Sequence, residues 1–461
     1  MTERVLVQRN TYHDSVTLML ASSDAEASDG VSFAAAVMGT PVNLRLLRDH
    51  GFAVDEEVGP NDMVVAIRGS DDSVVERAAA AVAQRLVGRD EGAGGRTEAA
   101  RPRSLRSAAR SDPSINVAVI SVPGRFASYE AASAIEAGLH VFCFSDGMTL
   151  GDEATLKRRA TARGLLMMGA DCGTAIIDGV GLGFANAVDC GPVGVIGASG
   201  TGIQEVACLL DSAGVGISHA IGVGGRDLSA EVGGKMTLYA LGLLADDDDT
   251  EVIAVISKPP DPGVARSVSE AAEAIGKPVV MGFLGDGGSL EATAAQCARL
   301  CGTRIELDDA SGPARVTPGE IRGFFCGGSL CQEAGDVVRR RIPGAEFVDF
   351  GDDEFTQGRP HPMIDPTLRN EALRRAMVDE DVGAVVFDVV LGYGAHPDPA
   401  TELASIVEDA QSVTAVAALC GTGRDPQGLT EQKKTLASAG AIVTRSAAHA
   451  ARLALAAAGA A

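Results

Sequence analysis

The sequence Gly197-Ala198-Ser199-Gly200-Thr201-Gly202-Ile203-Gln204-Glu205 is the most informative stretch of the chain. It follows the apolar run Val193–Ile196 and opens an apolar helical pattern, which predicts a strand, a glycine-rich turn and a helix. Its second half has a counterpart in Gly328-Ser329-Leu330-Cys331-Gln332-Glu333, 128 residues further along and again after an apolar run. This recurrence of one strand–turn–helix motif indicates an internal duplication.

Two more pairs of segments follow in the same order. Lys258–Pro262 resembles His396–Pro399, and the strand and glycine-rich loop of residues 278–287 resemble Leu419–Gly423. Three matches in one order predict two similar α/β lobes, at residues 190–310 and 318–461. Lobes related in this way would present the starts of their equivalent helices to each other across a pseudo-two-fold axis.

The chain upstream of the lobes divides into three parts. Strand and helix patterns alternate in residues 1–87, which predicts a small N-terminal α/β module. Residues 88–113 are rich in Gly, Ala, Ser and Arg without an apolar period, which predicts a linker. A strand–helix–strand rhythm in residues 114–188 is typical of a parallel sheet with right-handed crossovers. The 461-residue chain is therefore predicted to be an α/β protein of several domains.

The charge balance restricts the possible partners. The chain has 39 Lys and Arg residues against 62 Asp and Glu residues, a formal net charge of −23. Such a surface repels nucleic acid and anionic lipid, so neither is a predicted partner. An anionic substrate then needs local donors, such as helix N-termini or a few arginines. The nine cysteines without a pairing framework, together with the lack of a signal peptide or membrane-spanning run, favour the reducing cytoplasm.

The two glycine-rich turns are predicted to bind phosphate. Glycine lets the backbone approach a ligand closely, and the first turn of a helix leaves N–H groups unpaired that suit an anion. The same pattern also occurs as an ordinary helix N-cap, but its presence in both copies of a duplication favours binding. The predicted ligands are Ser199, Gly200, Thr201, Gly327, Gly328 and Ser329.

Longer strings carry a resemblance to known families. Ser121–Gly124, Met168–Gly173 and Val195–Thr201 resemble the α subunit of succinyl-CoA synthetase, a nucleoside-diphosphate-forming acyl-CoA synthetase, and residues 384–394 resemble the ligase end of its β subunit. Over essentially its full length the chain resembles the FdrA family, in the strings Asn10–Ser15, Gly358–Pro366, Asp388–Pro399 and Gly421–Gln427. The resemblance implies a Rossmann-like domain of the CoA-binding type at residues 114–188. It also implies two tandem flavodoxin-like, ligase-like domains, of α-subunit type at 190–310 and β-subunit type at 318–461.

Two departures from the acyl-CoA synthetases bear on the mechanism. Those enzymes carry phosphate on a histidine in the loop that here reads Leu284–Ser289 and has no histidine, and no segment is left for the ATP-grasp domain that phosphorylates it. The FdrA resemblance implies instead carbamoyl transfer between carbamoyl phosphate and a small amide acid such as oxamate, alongside companion subunits. CoA is not an expected cofactor, because residues 114–188 lack a glycine-rich phosphate loop after their first strand.

Five polar side chains are predicted to perform the chemistry. An acyl phosphate is already activated, so catalysis requires holding the phosphate, polarising the carbonyl group and placing the nucleophile. Arg359 and His361 are predicted to bind phosphate oxygens or polarise the carbonyl, and His361 or His396, with a pKa near neutrality, to move the amide proton. Asp365 and Asp398 are predicted to orient them. Histidines in loops flanked by proline are also frequently structural, which is the alternative interpretation.

Three functions remain open. The first is a transferase acting on an acyl or carbamoyl phosphate, as a homo-oligomer or with companion subunits. The second is a CoA ligase that needs a separate nucleotide-binding subunit, and the missing histidine speaks against it. The third is a non-catalytic metabolite-sensing scaffold, and the histidine-containing loops favour chemistry over sensing. No metal site is predicted, because the acidic run Asp246–Asp249 lacks the spacing of cation ligands.

Overall fold

The N-terminal module is an antiparallel sheet covered by helices. A computed structural model describes residues 1–54, 57–87, 102–285, 287–307, 316–409 and 412–460. Both outer strands of the first sheet, ordered β1-β3-β2, run antiparallel to β3, and α1 and α3 bury their apolar side chains against it. The elements are β1 (Thr2–Gln8), α1 (Ser15–Glu26), β2 (Val31–Met38), α2 (Pro41–Asp49), β3 (Met63–Gly69) and α3 (Asp72–Val87).

The next segment forms a parallel sheet ordered β4-β5-β6. Part of the predicted linker is a helix, because Ser104 and Ser107 form a capping box at the start of α4; residues 88–101 lie outside the described residues. The elements are α4 (Leu105–Ser111), β4 (Val117–Ile120), α5 (Gly124–Glu136), β5 (His140–Cys143), α6 (Leu150–Thr161) and β6 (Met167–Met168).

The first of the two predicted lobes, here lobe A, contains a mixed sheet ordered β12-β11-β9-β10-β7-β8. Strands β9 to β12 are parallel, whereas the hairpin β7–β8 joins the edge antiparallel to β10. Residues 174–183, predicted to belong to the preceding domain, therefore extend the sheet of lobe A. The elements are β7 (Thr174–Ile177), β8 (Val180–Gly183), β9 (Cys190–Ala198), α7 (Gly200–Ser212), β10 (Ile217–Gly222), α8 (Lys235–Asp246), β11 (Val252–Ser257), α9 (Pro262–Glu273), β12 (Val279–Phe283) and α10 (Leu290–Leu300).

The second lobe, here lobe B, contains a parallel sheet ordered β14-β13-β15-β16-β17. Its first four strands match β10-β9-β11-β12 of lobe A in chain order and in neighbours, so the predicted duplication is confirmed. The elements are β13 (Glu320–Phe325), α11 (Gly328–Arg339), β14 (Phe347–Asp349), α12 (Asp353–Thr356), α13 (Thr367–Met377), β15 (Val382–Val390), α14 (Ala400–Glu408), β16 (Thr414–Cys420), α15 (Leu429–Ser438), β17 (Ile442–Thr444) and α16 (Ala447–Ala457).

A segment inserted in lobe B, Phe350–Leu368, belongs to a different compact unit from the rest of that lobe. The chain forms two compact units: the first contains Met1–Arg101 and Phe350–Leu368, and the second contains Pro102–Asp349 and Arg369–Ala461. Within the first unit the side-chain amide of Asn43 donates to the carbonyl oxygen of Gly358 at 3.0 Å. The sequence predicted one continuous domain at residues 318–461, but residues 350–368 of that range group with the N-terminal module.

Two buried glutamates link the lobes reciprocally within the second unit. Glu333 of α11 accepts a hydrogen bond at 2.7 Å from the N–H of Leu290, the first residue of α10 in lobe A. Glu205 of α7 accepts one at 3.3 Å from the N–H of Ala447, the first residue of α16 in lobe B. These glutamates occupy equivalent positions of the repeated motif, so the duplication also explains how the lobes are joined.

Residues Ala447–Ala457 form the helix α16, and Ser446 caps it by accepting a hydrogen bond from the N–H of His449. In the part of the chain that the structure describes, no helix combines the length and apolar character needed to cross a membrane.

Candidate functional site

The starts of α7 and α11 lie against each other in the second unit. Ser199 is the N-cap residue of α7; its hydroxyl accepts a hydrogen bond from the N–H of Gly202 at 2.9 Å and donates to the hydroxyl of Ser329 at 2.5 Å. Gly327 lies so close to Thr201 that an added Cβ atom would stand 2.7 Å from Cγ2 of Thr201. The structure thus brings together the two turns that the sequence predicts to face each other.

A buried ion pair supports the turn before α11. The carboxylate of Asp388 accepts hydrogen bonds at 2.8 Å from the N–H groups of Cys326 and Gly327. Arg369 donates to the main-chain oxygen of Asp388 at 2.8 Å and lies 3.5 Å from its carboxylate. Burial raises the pKa of Asp388 and the charge of Arg369 opposes that rise. Because Asp388 already binds the N–H of Gly327, the prediction that this amide holds phosphate is corrected.

Both helix starts contain residues that are partly exposed to solvent. Ser199, Gly200, Thr201 and Gly328 are half-buried, whereas Ser329 is only 2% exposed. The N–H groups of Gly200 and Thr201 occupy the first two helical positions, which have no acceptor within the helix. The half-buried residues therefore come from both helix starts.

A shallow cleft opens beside this helix start. Ser199 and Gly200 line it together with Gly222, the last residue of β10, with Gly224, and with the segment Asp171–Thr174. It lies at the carboxyl ends of the parallel strands β9 and β10, where ligands of α/β proteins usually bind. The backbone of Gly222 packs tightly against β7, since an added Cβ atom would clash with the main-chain oxygen of Thr174, the first residue of that strand.

Two charged residues at the site were not among the predicted ligands. Nζ of Lys258, which follows β11, lies 3.9 Å from the carboxylate of Asp349 at the end of β14. Both groups lie against the first residue of α11, since a Cβ atom added to Gly328 would stand 2.7 Å from Nζ of Lys258. The signal was present in the sequence, because Lys258 directly follows a buried strand within one of the repeated segments.

Three of the five predicted catalytic residues belong to the first unit. Arg359 is paired there, with its guanidinium 3.2 Å from Asp365 and 3.3 Å from the side-chain oxygen of Asn43. Burial lowers the pKa of His361 to about 4. His361 is therefore neutral at pH 7, and the expected pKa near neutrality is wrong. The carboxylate of Asp365 accepts hydrogen bonds from Arg359 at 3.2 Å and from the hydroxyl of Thr367 at 2.5 Å.

The other two predicted catalytic residues lie in the second unit, in the loop between β15 and α14. The backbone N–H of Asp398 donates to Nδ1 of His396 at 3.1 Å. The carboxylate of Asp398 accepts hydrogen bonds from the hydroxyl of Thr401 at 2.6 Å and from the side-chain amide of Gln432 at 3.2 Å. Within the described residues no hydrogen bond links His396 or Asp398 to Ser199, Thr201 or Ser329. Their catalytic roles stay predictions.

Family models match three parts of the chain. A model described as CoA-ligase covers residues 324–457. A model described as a CoA binding domain covers residues 190–285, which lie in lobe A. The sequence predicted a domain of the CoA-binding type at residues 114–188 instead. A model described as the AllF heavy metal-associated domain covers residues 1–102, a stretch that contains no cysteine. The described residues contain no cluster of three or more His, Cys, Asp or Glu side chains able to hold a metal ion.

Individual proteins match as well. YahF from Escherichia coli K12 is 39% identical over 97% of this chain and 96% of its own length. Subunit alpha 1 of an ADP-forming succinate–CoA ligase from Archaeoglobus fulgidus is 26% identical over 49% of this chain and 76% of its own length. Among solved structures, the acetyl-coenzyme A synthetase 1 of Ca. Korarchaeum cryptofilum matches with 17% identity and a TM-score of 0.29, over 75% of this chain and 82% of that one.

Proposed function

Because the chain belongs to the FdrA family, within the acyl-CoA synthetase superfamily, we propose that it binds an acyl phosphate at the starts of α7 and α11 and transfers the acyl group. Carbamoyl phosphate is the proposed donor and a small amide acid such as oxamate the proposed acceptor. The observation that carries the proposal is the hydrogen bond at 2.5 Å between Ser199 and Ser329, which joins the two glycine-rich helix starts.

The geometry suits a leaving phosphate. The bond between the acyl carbon and the phosphate oxygen breaks, a bond from that carbon to the acceptor nitrogen forms, and the nitrogen gives up a proton to a base. Negative charge grows on the departing phosphate, where the N–H groups of Gly200 and Thr201 and the dipole of α7 stabilise it. Donors fixed in advance by helix geometry need no reorganisation during the reaction. His396 is the proposed base.

The test is phosphate release from carbamoyl phosphate, with and without oxamate, by the full chain alone and with candidate companion subunits. Spontaneous decomposition in the absence of protein is subtracted. Ser199→Ala removes the hydroxyl that caps α7 and joins it to Ser329, so we expect the concentration of carbamoyl phosphate at half-maximal rate to rise about fivefold. The matched control is Ser212→Ala, the same change at the other end of α7. Equal behaviour of the two variants, or release no faster than the spontaneous rate, would refute the proposal.

A second candidate is a CoA ligase that works with a separate nucleotide-binding subunit. The matches of lobe A to a CoA binding domain and of lobe B to a CoA-ligase domain favour it. The loop Leu284–Ser289 offers no histidine to carry phosphate, which makes it the weaker candidate. Isothermal titration of the full chain with CoA separates the two: saturable binding supports the ligase, and the transferase predicts none.

A further inference from the structure

The start of α11 carries an arrangement of charges that the start of α7 does not share. Asp388 and Arg369 form a closed pair beneath the turn, 0% and 2% exposed, and their charges cancel. Above the turn, Asp349 adds a carboxylate whose side chain is 21% exposed, and Lys258 adds an ammonium whose side chain is 48% exposed. Among the described residues, these contacts therefore place a solvent-accessible cation, Lys258, at this helix start.

The pair between Lys258 and Asp349 is loose. Its distance of 3.9 Å exceeds the range of about 2.7–2.9 Å for a charge-assisted hydrogen bond, so little stabilisation is lost when Nζ turns away. The two residues come from different lobes and meet over Gly328, where an added Cβ atom would stand 2.7 Å from Nζ. A glycine at that position leaves the ammonium group directly beside the helix start.

The other candidate phosphate ligands are neutral. Ser199, Thr201 and Ser329 offer hydroxyl groups, and Gly200 and Gly328 offer backbone N–H groups. A phosphate that carries up to two negative charges would face these dipoles together with the carboxylate of Asp349, which repels it. A cation that moves from the carboxylate to the phosphate makes the net interaction with the phosphate attractive. Lysine is a common point-charge ligand of phosphate.

We propose that Lys258 is a ligand of the substrate's phosphoryl group and exchanges Asp349 for a phosphoryl oxygen when the anion binds. This inference rests on the proposed function and deepens it, because it assigns the positive charge that the helix starts lack. In the free protein Asp349 keeps Nζ beside Gly328. In the complex Nζ stabilises the charge that develops on the phosphate as the acyl carbon–oxygen bond breaks.

The experiment measures binding of inorganic phosphate to the full chain by isothermal titration calorimetry. Lys258→Gln should weaken binding about tenfold or more, because a charge-assisted contact is lost. Lys258→Arg should retain most of the affinity. Asp349→Asn should bind phosphate more tightly than the wild type, because the competing carboxylate is gone. Lys434→Gln on the exposed face of α15 is the matched control for the change in net charge and should leave binding unaltered.

The outcomes distinguish a failure of the role assigned to Lys258 from a failure of the proposed function. If the wild type binds phosphate and Lys258→Gln binds it equally well, the assignment of Lys258 is overturned while the proposed site stands. If the wild type neither binds phosphate nor releases it from carbamoyl phosphate, the proposed function fails and the assignment fails with it. Circular dichroism at the titration temperature shows whether each variant is folded. Should Lys258→Gln be unfolded, the tighter binding expected of Asp349→Asn still tests the exchange, and unchanged or weaker binding would overturn it.

Discussion

The buried carboxyl group of Glu333 should make the stability of the second unit depend on pH. Glu333 is 2% exposed, and its hydrogen bond from the N–H of Leu290 at 2.7 Å crosses from lobe B to lobe A. Burial raises its pKa from 4.5 to about 7; Glu291 adds to the rise, while hydrogen bonds from Ser289 and Leu290 oppose it. Burial and the proximity of Glu333 likewise raise the pKa of Glu205.

The sign follows from proton binding. Between pH 4.5 and about 7 the folded chain holds the proton of Glu333 more tightly than the unfolded chain does. The free energy of unfolding therefore falls as pH rises through this window, and the contribution of Glu333 levels off above it. A pKa difference of about 2.5 units corresponds to about 3 kcal/mol at most. Glu333→Gln mimics the protonated acid, keeps an acceptor for Leu290 and removes this dependence.

The assay is urea unfolding at pH 5, 6, 7 and 8, followed by far-ultraviolet circular dichroism. The difference in unfolding free energy between the wild type and Glu333→Gln reports this carboxyl group together with its effect on the pKa of Glu205, because the other titrating groups remain in both proteins. Between pH 5 and 8 we expect the wild type to lose up to about 3 kcal/mol of unfolding free energy relative to Glu333→Gln. Glu431→Gln, on the exposed surface of α15, should show no shift. If the unfolding free energies of the wild type and Glu333→Gln differ by the same amount at every pH, Glu333 does not have a raised pKa in the folded chain.

Three other predictions concern the site. Gly327→Ala places a Cβ atom 2.7 Å from Cγ2 of Thr201, so it should lower the free energy of unfolding by about 1–3 kcal/mol, and the further change Thr201→Ala should recover part of it; thermal denaturation checks both. His396→Ala should lower turnover of carbamoyl phosphate about a hundredfold, because it removes the proposed base; normal steady-state kinetics in this variant would move the proton transfer elsewhere. Incubation with radiolabelled ATP should produce no acid-labile, base-stable label, and such a label would favour the ligase.

The sequence predicted the duplicated lobes and the meeting of their helix starts. The reason is that both depend on local patterns: an apolar strand, a glycine-rich turn and a helix recur in the same order, and equivalent segments adopt equivalent folds. The structure confirms that order, and it brings Ser199 within hydrogen-bond distance of Ser329. The reciprocal bonds of Glu205 and Glu333 follow from the same repeat, although the sequence pattern alone does not show which helix each glutamate caps.

The remaining features depend on contacts between distant segments. Nothing in the string around Arg359 and His361 indicates that it packs with the N-terminal module, where Asn43 binds Gly358. The hairpin at residues 174–183 joins lobe A through its pairing with β10, which periodicity does not reveal. Asp388 sits in an apolar strand, and only the folded chain shows that it occupies the N–H groups of Cys326 and Gly327.

The central claim is that an acyl phosphate binds at the two facing helix starts. The most direct measurement is a crystal structure of the full chain with phosphonoacetamide, a stable analogue of carbamoyl phosphate. Phosphonate oxygens should lie within hydrogen-bond distance of the N–H groups of Gly200 and Thr201, with Nζ of Lys258 turned from Asp349 towards them. A phosphonate bound elsewhere while the starts of α7 and α11 remain unoccupied would contradict it.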